Sequence, residues 1–499
     1  MNSQSSIKPN PFTLPSERLR KCRTREMNHK PANLLLVTFD QWRGDWTDPI
    51  APVVRLPCLE RLTARGLTAR RCYTSSPQCV PARLSWLTGL APSQLGVTRN
   101  CEAQISRNTP SIFRDLQQQG WYTELIGKTH WTSHLKPGDL RENKTLIQSA
   151  GFDRVLEVAG PRALQIMSCE LTDAWKKENV FEEYLEDMKK RYRPGRTPAA
   201  WDVRPSVLPD HLYPDIWIAN QGVKAIQRMP KNKPWLLWIS FVGPHEPFDT
   251  PKKWNCKNRL ETKKFPQKAT WIEELTINSE LRKSSKSWEN KLTEKAIKDC
   301  RIDYSNNLKL LDDQLDRLTN AVKTRSDSEQ TAIAITADHG EMLGDHQMLY
   351  KSTFLEGSVR VPFHYVQPPQ NGSAHKIINR PIGLTEALKI IITNLQSGGM
   401  MEQVGEYFQQ QKYIVVEFGS ELLIVKNKKK LCLNSKGEAL WGINLNKDTH
   451  EQKNIVKENS KIFSRNKGWK KIRTFAKREL ERRQQDNWLC KGLVERIRT

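Results

Sequence analysis

The sequence predicts an α/β fold with a doubly wound, largely parallel central sheet that is flanked by helices. Three mostly apolar runs, Asn33–Phe39, Trp235–Val242 and Thr331–Ala337, are bounded by turn residues, which is typical of strands buried on both faces of a parallel sheet. Segments with helical spacing of apolar residues lie between them, and this alternation of strand and helix favours the doubly wound class. The predicted helices span Leu56–Arg65, Ser111–Gln119, Asp215–Arg228 and Asp299–Val322.

Towards the C-terminus, short runs replace the long buried ones. Lys412–Phe418, Leu422–Val425 and Lys430–Leu433 are typical of antiparallel strands, and Asn427-Lys428 suits a turn between the second and third of them. Residues 460–490 are expected to be helical. The predicted parts of the chain are a polar N-terminal extension (1–30), a main α/β domain (31–405), and a small antiparallel α+β subdomain with a basic C-terminal helix (406–499).

Composition indicates a folded protein with a strong positive charge. The chain has 499 residues, including 16 Trp, and its formal net charge is +25. Such a charge attracts polyanions, anionic membranes or sulfated and phosphorylated substrates. The basic residues are dense in 449–499, which we interpret as a solvated amphipathic helix, with a polyanion-binding tail as the alternative. Nucleic acid is an unlikely partner, because the sequence has neither zinc-finger cysteines nor an aromatic RNA-binding signature.

The cysteines and the termini predict a cytoplasmic protein. Ten cysteines are scattered without paired metal-binding spacing, so no disulfide framework is expected in a chain this long. The N-terminus has no apolar core of a secretory signal, and no apolar run reaches the ~18 residues of a membrane span. Met27, just before the first strand, is an alternative start of translation. The oligomeric state stays open, and an oligomer is compatible with the sequence.

Polar side chains follow each of the three predicted strands. Asp40 follows the first, Gly243-Pro244-His245 the second, and Asp338-His339 the third. Ligands of open α/β sheets bind at the carboxyl ends of the strands, so these side chains are expected at one edge of the sheet. Two acids and an imidazole suit a hard divalent cation with one nitrogen ligand.

A short motif at Cys79 adds a reactive group. The residues Cys79-Val80-Pro81-Ala82-Arg83 are followed by an apolar helical stretch that ends in Thr88-Gly89. This C-x-P-x-R pattern resembles the signature of type I sulfatases, in the alkaline phosphatase superfamily. Further family motifs appear in the same order along residues 33–365: Gly127-Lys128-Thr129-His130, Gly243-Pro244-His245, Asp338-His339-Gly340, Lys351 and Arg360-Val361-Pro362. The later stretch WGINLNKDTHEQKNI is similar to the end of the family's small C-terminal domain.

Two departures from the commonest sulfatase pattern point to one branch of the family. Asp40-Gln41 stands where many members have Asp-Asp, and Asp338-His339 where many have Asp-Asn. This version looks like the branch that holds choline sulfatases and phosphonate monoester hydrolases. Asn100 matches a substrate-contacting Asn of that branch. We expect Gln41 to orient a metal ligand through hydrogen bonds rather than to bind the metal itself.

The resemblance implies both a modified residue and a metal. In the family, the cysteine at the position of Cys79 is oxidised after synthesis to formylglycine by a formylglycine-generating enzyme, and the hydrated aldehyde is the nucleophile. One divalent metal is then implied at Asp40, Asp338, His339 and the residue-79 diol. Ca, Mg and Mn stay open, and the imidazole ligand favours Mn slightly.

The resemblance also implies roles for the remaining motif residues. Arg83 is expected to fix the diol oxygen and to offset negative charge, while Lys128 and Lys351 clamp sulfate oxygens as point charges. His130 is the expected base for the second hydroxyl. His245 is placed to protonate the leaving group or to bind a sulfate oxygen.

These inferences predict a sulfuric ester hydrolase that acts on a small sulfated substrate. A phosphonate or phosphate ester hydrolase on the same scaffold is the first alternative, but phosphonate monoester hydrolases tend to have uncharged hydroxyl residues where this chain has Lys128 and His130. An inactive, polyanion-binding homologue is the second alternative, and the intact set of motif residues argues against it. Leaving-group specificity is expected in loops at 132–210 and in a surface insertion at 250–298, near the mouth of the site.

Overall fold

The computed structural model describes residues 33–100, 103–192, 202–255, 266–368, 375–396, 401–458, 460–486 and 494–496. The predicted extension at 1–30 and Met27 lie outside the described residues. Within these ranges, none of the helices combines the length and the apolar character needed to cross a bilayer.

The β-strands of the described structure are β1 (Asn33–Phe39), β2 (Leu67–Tyr73), β3 (Ala103–Ile105), β4 (Tyr122–Gly127), β5 (Gly138–Asp139), β6 (Arg154–Glu157), β7 (Met167–Ser168), β8 (Trp235–Ser240), β9 (Thr331–Ala337), β10 (Arg360–Val361), β11 (Phe363–Val366), β12 (Lys376–Gly383), β13 (Ile414–Phe418), β14 (Glu421–Lys426), β15 (Lys429–Leu433), β16 (Ala439–Asn444) and β17 (Val494–Arg496). Nine of them form a large central sheet in the order β10-β2-β11-β9-β1-β8-β4-β6, with β12 paired to β2. The strands β9, β1, β8, β4 and β6 are mutually parallel, whereas β11 is antiparallel to β9 and β2.

The three apolar runs form the middle of this sheet, which confirms the predicted fold class. β1 lies between β8 and β9, and all residues of these strands are buried, as their apolar sequences require. β8 ends two residues before its predicted end. There the backbone N–H groups of Val242 and Gly243 donate to Asp215 Oδ1 at 2.9 and 3.0 Å instead of continuing the ladder.

Helices cover the sheet and connect its strands. The predicted helix at Asp299–Val322 is longer than expected because Thr293 caps it at its N-terminus, where Thr293 Oγ1 accepts from Ala296 N at 3.1 Å. The α-helices span Pro57–Thr63, Cys79–Thr88, Ile112–Gln118, Lys144–Ser149, Glu170–Lys177, Phe181–Arg191, Pro214–Arg228, Glu280–Ser287, Glu294–Lys323, Glu356–Val359, Leu384–Gln396, Met401–Gln410, Ile455–Glu458, Ser460–Arg465 and Lys467–Asp486. Short 3₁₀ helices span Leu140–Asn143, Ala163–Gln165, Asp210–Leu212, Thr270–Ile272, Ser328–Gln330 and Asp345–Gln347.

A small antiparallel sheet, β13-β14-β15-β16, follows the main sheet along the chain. The three predicted strands are present, and the predicted turn is made with Asn427 in the left-handed region (φ 52°). β16 is an additional strand that the sequence pattern did not indicate. The predicted boundary at 405/406 falls within the helix Met401–Gln410, so the division into domains stays a prediction.

The segments expected to be loops are more ordered than predicted. The helices Lys144–Ser149, Glu170–Lys177 and Phe181–Arg191 lie within 132–210. In 250–298, Trp271 is buried in one apolar cluster with residues of the small sheet, and its ring lies 5.8 Å from that of Trp441. This part is therefore not a wholly solvated insertion, because its few large apolar side chains are buried against the small sheet.

A buried lysine on the small sheet is paired with two carboxylates from outside that sheet. Lys430 on β15 is fully buried, and its Nζ lies 3.0 Å from Glu356 Oε1 and 2.7 Å from Glu451 Oε1. Burial opposes its charge, but the two carboxylates raise the pKa of Lys430 above its ordinary value. Lys430 is therefore charged in the folded protein.

Replacing Lys430 by methionine is expected to lower the free energy of unfolding by about 3–5 kcal/mol, because two carboxylates are then buried without their cation. Urea unfolding followed by tryptophan fluorescence measures the change. Lys428→Met is the matched control, because Lys428 is exposed on the adjacent turn. Equal urea midpoints for the two variants would contradict this account.

Candidate active site

The carboxyl ends of four neighbouring strands converge on one place. Asp40 follows β1, Lys128 follows β4, Asp338 follows β9, and the loop after β8 carries His245. Cys79 reaches the same place as the first residue of the helix Cys79–Thr88, whose residues are all buried. Gly89 ends that helix in the left-handed region (φ 70°), which glycine adopts without strain.

Asp40, Cys79, Asp338 and His339 form one buried cluster. Each offers one ligand atom, and these atoms all lie within 4.8 Å of one another. His339 Nε2 is 3.1 Å from Cys79 Sγ and 3.6 Å from both Asp40 Oδ1 and Asp338 Oδ1. Two carboxylates, an imidazole and one further donor fit a divalent cation that prefers oxygen and accepts nitrogen.

Two cations stabilise the acids of this cluster. Arg83 Nε donates to Asp338 Oδ2 at 2.7 Å, and a second guanidinium nitrogen lies 3.5 Å from Asp40 Oδ2. Lys128 Nζ makes a short contact with the same Asp40 oxygen. Arg83 was expected to hold an oxygen of residue 79. The guanidinium also donates to the Lys128 carbonyl at 2.7 Å and to Ser240 Oγ at 3.0 Å, so it orders the acids and the strand ends. Its expected contact with an oxygen of residue 79 stays a prediction.

The charges of the site act strongly on Cys79 and Asp40. Burial alone would raise the pKa of the Cys79 thiol, but Lys128, Lys351 and His339 lower it well below its usual value. Burial and Cys79 would also raise the pKa of Asp40, and Lys128, His245 and Arg83 outweigh them and lower it. The site therefore stabilises negative charge at both positions.

Gln41 links this cluster to Lys351. Its backbone N–H donates to Asp338 Oδ1 at 3.0 Å, and its side-chain Oε1 accepts from Lys351 Nζ at 2.7 Å. The amide Nε2 donates to Glu246 Oε2 at 3.0 Å and to Glu341. With its amide engaged in this way, Gln41 orients its neighbours. Lys351 Nζ itself lies 3.4 Å from Cys79 Sγ.

The His130 ring lies close enough to the Cys79 thiol for each group to shift the pKa of the other. The ring of His134 stacks on that of His130 at 5.0 Å, and Glu157 Oε1 lies 3.8 Å from His134 Nε2. Burial lowers the pKa of both imidazoles, most strongly that of His134. His130 is thus held as a neutral ring, which can accept a proton. No sequence motif assigned a role to His134. His211 lies elsewhere, paired with Glu178 at 2.9 Å.

His245 and Asn100 complete the predicted set. His245 Nδ1 lies 2.7 Å from the Glu246 carbonyl, a contact that places the proton on Nδ1 and leaves Nε2 for another partner. Asn100 Oδ1 accepts from Val80 N at 3.0 Å, so it caps the helix that begins at Cys79. The structure thus brings all the predicted site residues to one edge of the sheet.

Sequence reasoning missed two carboxylates of the site. Glu246 accepts from Gln41, and Glu341 also accepts from the Leu343 backbone at 2.9 Å, which holds the loop that leads to Lys351. Burial raises the pKa of Glu341 to about 7. Their positions in the sequence could have identified both acids, because Glu246 directly follows His245 and Glu341 directly follows Asp338-His339-Gly340.

The comparisons with known proteins agree with this geometry. The Sulfatase family model matches residues 32–386. An arylsulfatase of Clostridium perfringens is 24% identical over 485 residues, which are 92% of this chain and 97% of the relative. A choline-sulfatase of Rhizobium meliloti is 27% identical over 343 residues, which are 67% of this chain and 62% of the relative.

Solved structures show the same fold. A phosphonate monoester hydrolase of Agrobacterium radiobacter superposes with a TM-score of 0.67 at 19% identity, and one of Silicibacter pomeroyi with 0.70 at 18%. Each superposition covers 91% of this chain and 96% of the other. The family match takes in the strand ends, the Cys79 helix and the Lys351 loop. The chain therefore belongs to the sulfatase family, in the alkaline phosphatase superfamily, and the protein is a sulfatase.

Proposed function

We propose that this sulfatase cleaves a sulfate monoester with a formylglycine made from Cys79 and one bound divalent metal. The observation that carries the proposal is the set of groups around the Cys79 sulfur: His339 at 3.1 Å, Lys351 at 3.4 Å, Lys128 at 3.9 Å and the His130 ring. Such groups suit a nucleophile that develops negative charge beside an anionic substrate.

The metal and the modified residue would occupy this same cluster. Asp40, Asp338, His339 and residue 79 would hold the metal, with the Cys79 sulfur standing where a formylglycine hydroxyl would lie. When bound, a divalent cation lowers the pKa of a coordinated hydroxyl and offsets charge on the sulfate oxygens. Ca, Mg or Mn fits the donor set, and a formylglycine-generating enzyme is the partner that the proposal requires.

Two lysines would bind the sulfate group of the substrate. Lys128 and Lys351 approach residue 79 with their ammonium groups, and Asp40 and Gln41 hold them in place. Burial opposes the charge of Lys351, but Cys79, Asp40 and Glu246 raise its pKa, so it stays cationic. Both lysines can then bind sulfate oxygens as point charges.

Two histidines would move protons on either side of the reaction. His130, neutral and in contact with residue 79, would accept the proton of the second hydroxyl when sulfate leaves. His245, protonated on both ring nitrogens, would donate from Nε2 to the leaving oxygen and would keep its Nδ1 proton, which the Glu246 carbonyl accepts at 2.7 Å and which lies 3.2 Å from the Glu246 carboxylate. Because His130 and His245 would act in different steps, substitution of each histidine should slow a different step.

His130→Ala is expected to slow turnover about 10²- to 10⁴-fold by blocking release of sulfate rather than cleavage of the ester. Stopped-flow measurement with 4-nitrophenyl sulfate should show a burst of about one nitrophenol per active site, then a slow steady state. His211→Ala, an exposed histidine, is the control and should keep normal rates. Normal steady-state turnover in His130→Ala would refute this role.

A phosphonate or phosphate ester hydrolase is the first alternative, because it would use the same kind of oxyanion site. Lys128 and His130 favour the sulfate ester. Rates for aryl sulfate, aryl phosphate and aryl phosphonate esters, measured on protein with residue 79 matured, decide between them. A preference for the phosphonate ester would replace our proposal, and turnover of none would favour an inactive polyanion-binding protein. A cytoplasmic location remains part of the proposal.

A further inference from the structure

The segment Gly160-Pro161-Arg162 lies against the active site. A Cβ atom built on Gly160 would lie 3.1 Å from Lys128 Nζ and 3.5 Å from its Cε, so the backbone here packs directly on the lysine. Pro161 and His245 line one pocket beside the loop that follows β8. The segment therefore borders two of the groups that are proposed to bind sulfate and the leaving oxygen.

Arg162 is fixed at the rim of the site by three neighbours. Its guanidinium lies 4.7 Å from the ring centre of Tyr192 and 5.7 Å from that of Tyr350, and it donates to Glu246 Oε1 at 2.6 Å. Tyr350 directly precedes Lys351, and Glu246 directly follows His245. Arg162 thus contacts the chain neighbours of two site residues, and its own segment packs on Lys128.

This arginine keeps hydrogen-bonding capacity for a ligand. Its side chain is 42% exposed, and in the described part of the chain it donates to Glu246 and lies beside the Tyr192 and Tyr350 rings. A guanidinium has more N–H donors than these contacts use. Burial opposes its charge, but Glu246 raises the pKa of Arg162 above the ordinary value, so it is a permanent cation.

Both oxygens of the acid beside it already have partners in the protein. Glu246 Oε1 accepts from Arg162, and Glu246 Oε2 accepts from Gln41 and lies 3.2 Å from His245 Nδ1. The Tyr350 hydroxyl is buried and has no hydrogen-bond partner among the described residues. The rim therefore presents the unused N–H donors and the positive charge of Arg162.

We propose that Arg162 forms a subsite for a second anionic group, a carboxylate or a further sulfate, on the leaving-group side of the substrate. The inference rests on the proposed function and narrows its substrate class to sulfate esters whose alcohol part is itself anionic. A planar guanidinium, held by two aromatic rings and a carboxylate, is suited to paired hydrogen bonds with such an oxyanion. A quaternary ammonium alcohol such as choline would meet like charge there.

The test compares sulfate release from phenyl sulfate, 4-carboxyphenyl sulfate, 1,4-phenylene disulfate and choline sulfate, using matured full-length enzyme. The quantity measured is kcat/KM for each anionic ester divided by kcat/KM for phenyl sulfate. Arg162→Met should lower this ratio about 10- to 100-fold relative to the matured wild-type enzyme, since a charge-assisted hydrogen bond is lost. Comparing two enzymes on the same pair of substrates cancels the intrinsic reactivity of the leaving groups.

Two control variants sharpen the comparison. Arg162→Lys should keep part of the ratio, because the charge remains while the fork of donors is lost. Arg61→Met removes another surface arginine, paired with Asp316 at 2.6 Å on the helix Pro57–Thr63, and should leave the ratio unchanged. The ratio measured for the wild-type enzyme should also fall as the salt concentration rises, because the subsite is partly exposed.

The substrates distinguish a carboxylate subsite from a sulfate subsite, and the results distinguish failure of the subsite from failure of the proposed function. A larger loss with the carboxylate ester assigns a carboxylate, and a larger loss with the disulfate assigns a second sulfate. An unchanged ratio in Arg162→Met, an equal fall in Arg61→Met, or choline sulfate as the best substrate would overturn the subsite while leaving the sulfatase proposal intact. If no arm released sulfate, both proposals would fall together.

Discussion

Cys79→Ala should lower the hydrolysis of aryl sulfates about 10⁴- to 10⁶-fold, because alanine cannot be converted to the formylglycine whose hydroxyl would attack sulfur. The side chain is buried and small, so the variant should still fold, and its thermal midpoint should stay near that of the unmodified protein. Rate and stability, measured on the same preparation, separate loss of chemistry from loss of structure.

Mass analysis of the peptide that contains residue 79 tests the modification itself. In active enzyme the side chain should have exchanged its sulfur and two hydrogens for one oxygen, as conversion of a thiol to an aldehyde requires. The control for Cys79→Ala is Cys58→Ala, which should keep normal activity. Cys58 is also buried but lies away from the site, on the helix Pro57–Thr63 near Thr319. A fully active enzyme with only unmodified cysteine at position 79 would show that the thiol, and not an aldehyde, is the nucleophile.

The middle of the fold was predictable because its sequence is apolar without interruption. β1 and β9 have the predicted limits, since both faces of a central parallel strand are buried and every residue contributes to the pattern. β16 was missed because it mixes Trp441 and Ile443 with a central glycine, so neither alternation nor a continuous apolar run marks it. A pattern of apolar residues indicates that a strand is buried, but it does not indicate which element covers the strand.

Polar composition misled in the segment 250–298 for a related reason. Its lysines suggested a solvated surface, yet Trp271 and Leu281 are buried against the small sheet. A few large apolar side chains are enough to anchor such a segment, because each removes much apolar surface from water. The average polarity of a segment therefore says little about where its few apolar residues go.

The site was predictable where chemistry lies at strand ends and less so where it depends on packing. Asp40, Asp338 and His339 follow buried strands, and the structure brings them together at the sheet edge. The partners of Arg83 could not be read from its motif, because Asp338 and Ser240 approach it from strands far away in sequence. Arg162 stood in no motif, and only the packing of its segment on Lys128 places it at the site.

Asp338→Asn should remove the bound metal and reduce turnover about 10³-fold or more, because a metal contributes several kcal/mol to stabilising the transition state. Asp338 Oδ1 accepts from the backbone N–H groups of Gln41 and His339 at 3.0 and 2.8 Å, and Oδ2 accepts from Arg83. Asparagine keeps the shape but loses the charge that the cation needs. Elemental analysis after dialysis, together with aryl sulfate turnover, measures both effects.

The control for Asp338→Asn is Asp345→Asn, which removes another buried carboxylate held by arginines, here Arg43 at 2.8 Å and Arg301 at 2.6 Å. Both substitutions weaken a buried ion pair, so both should lower the thermal midpoint. Asp345 is not part of the ligand cluster, and its variant should keep the metal. A metal content that is equal in the two variants would show that Asp338 orders Arg83 without binding the cation, and the metal site would have to be sought elsewhere.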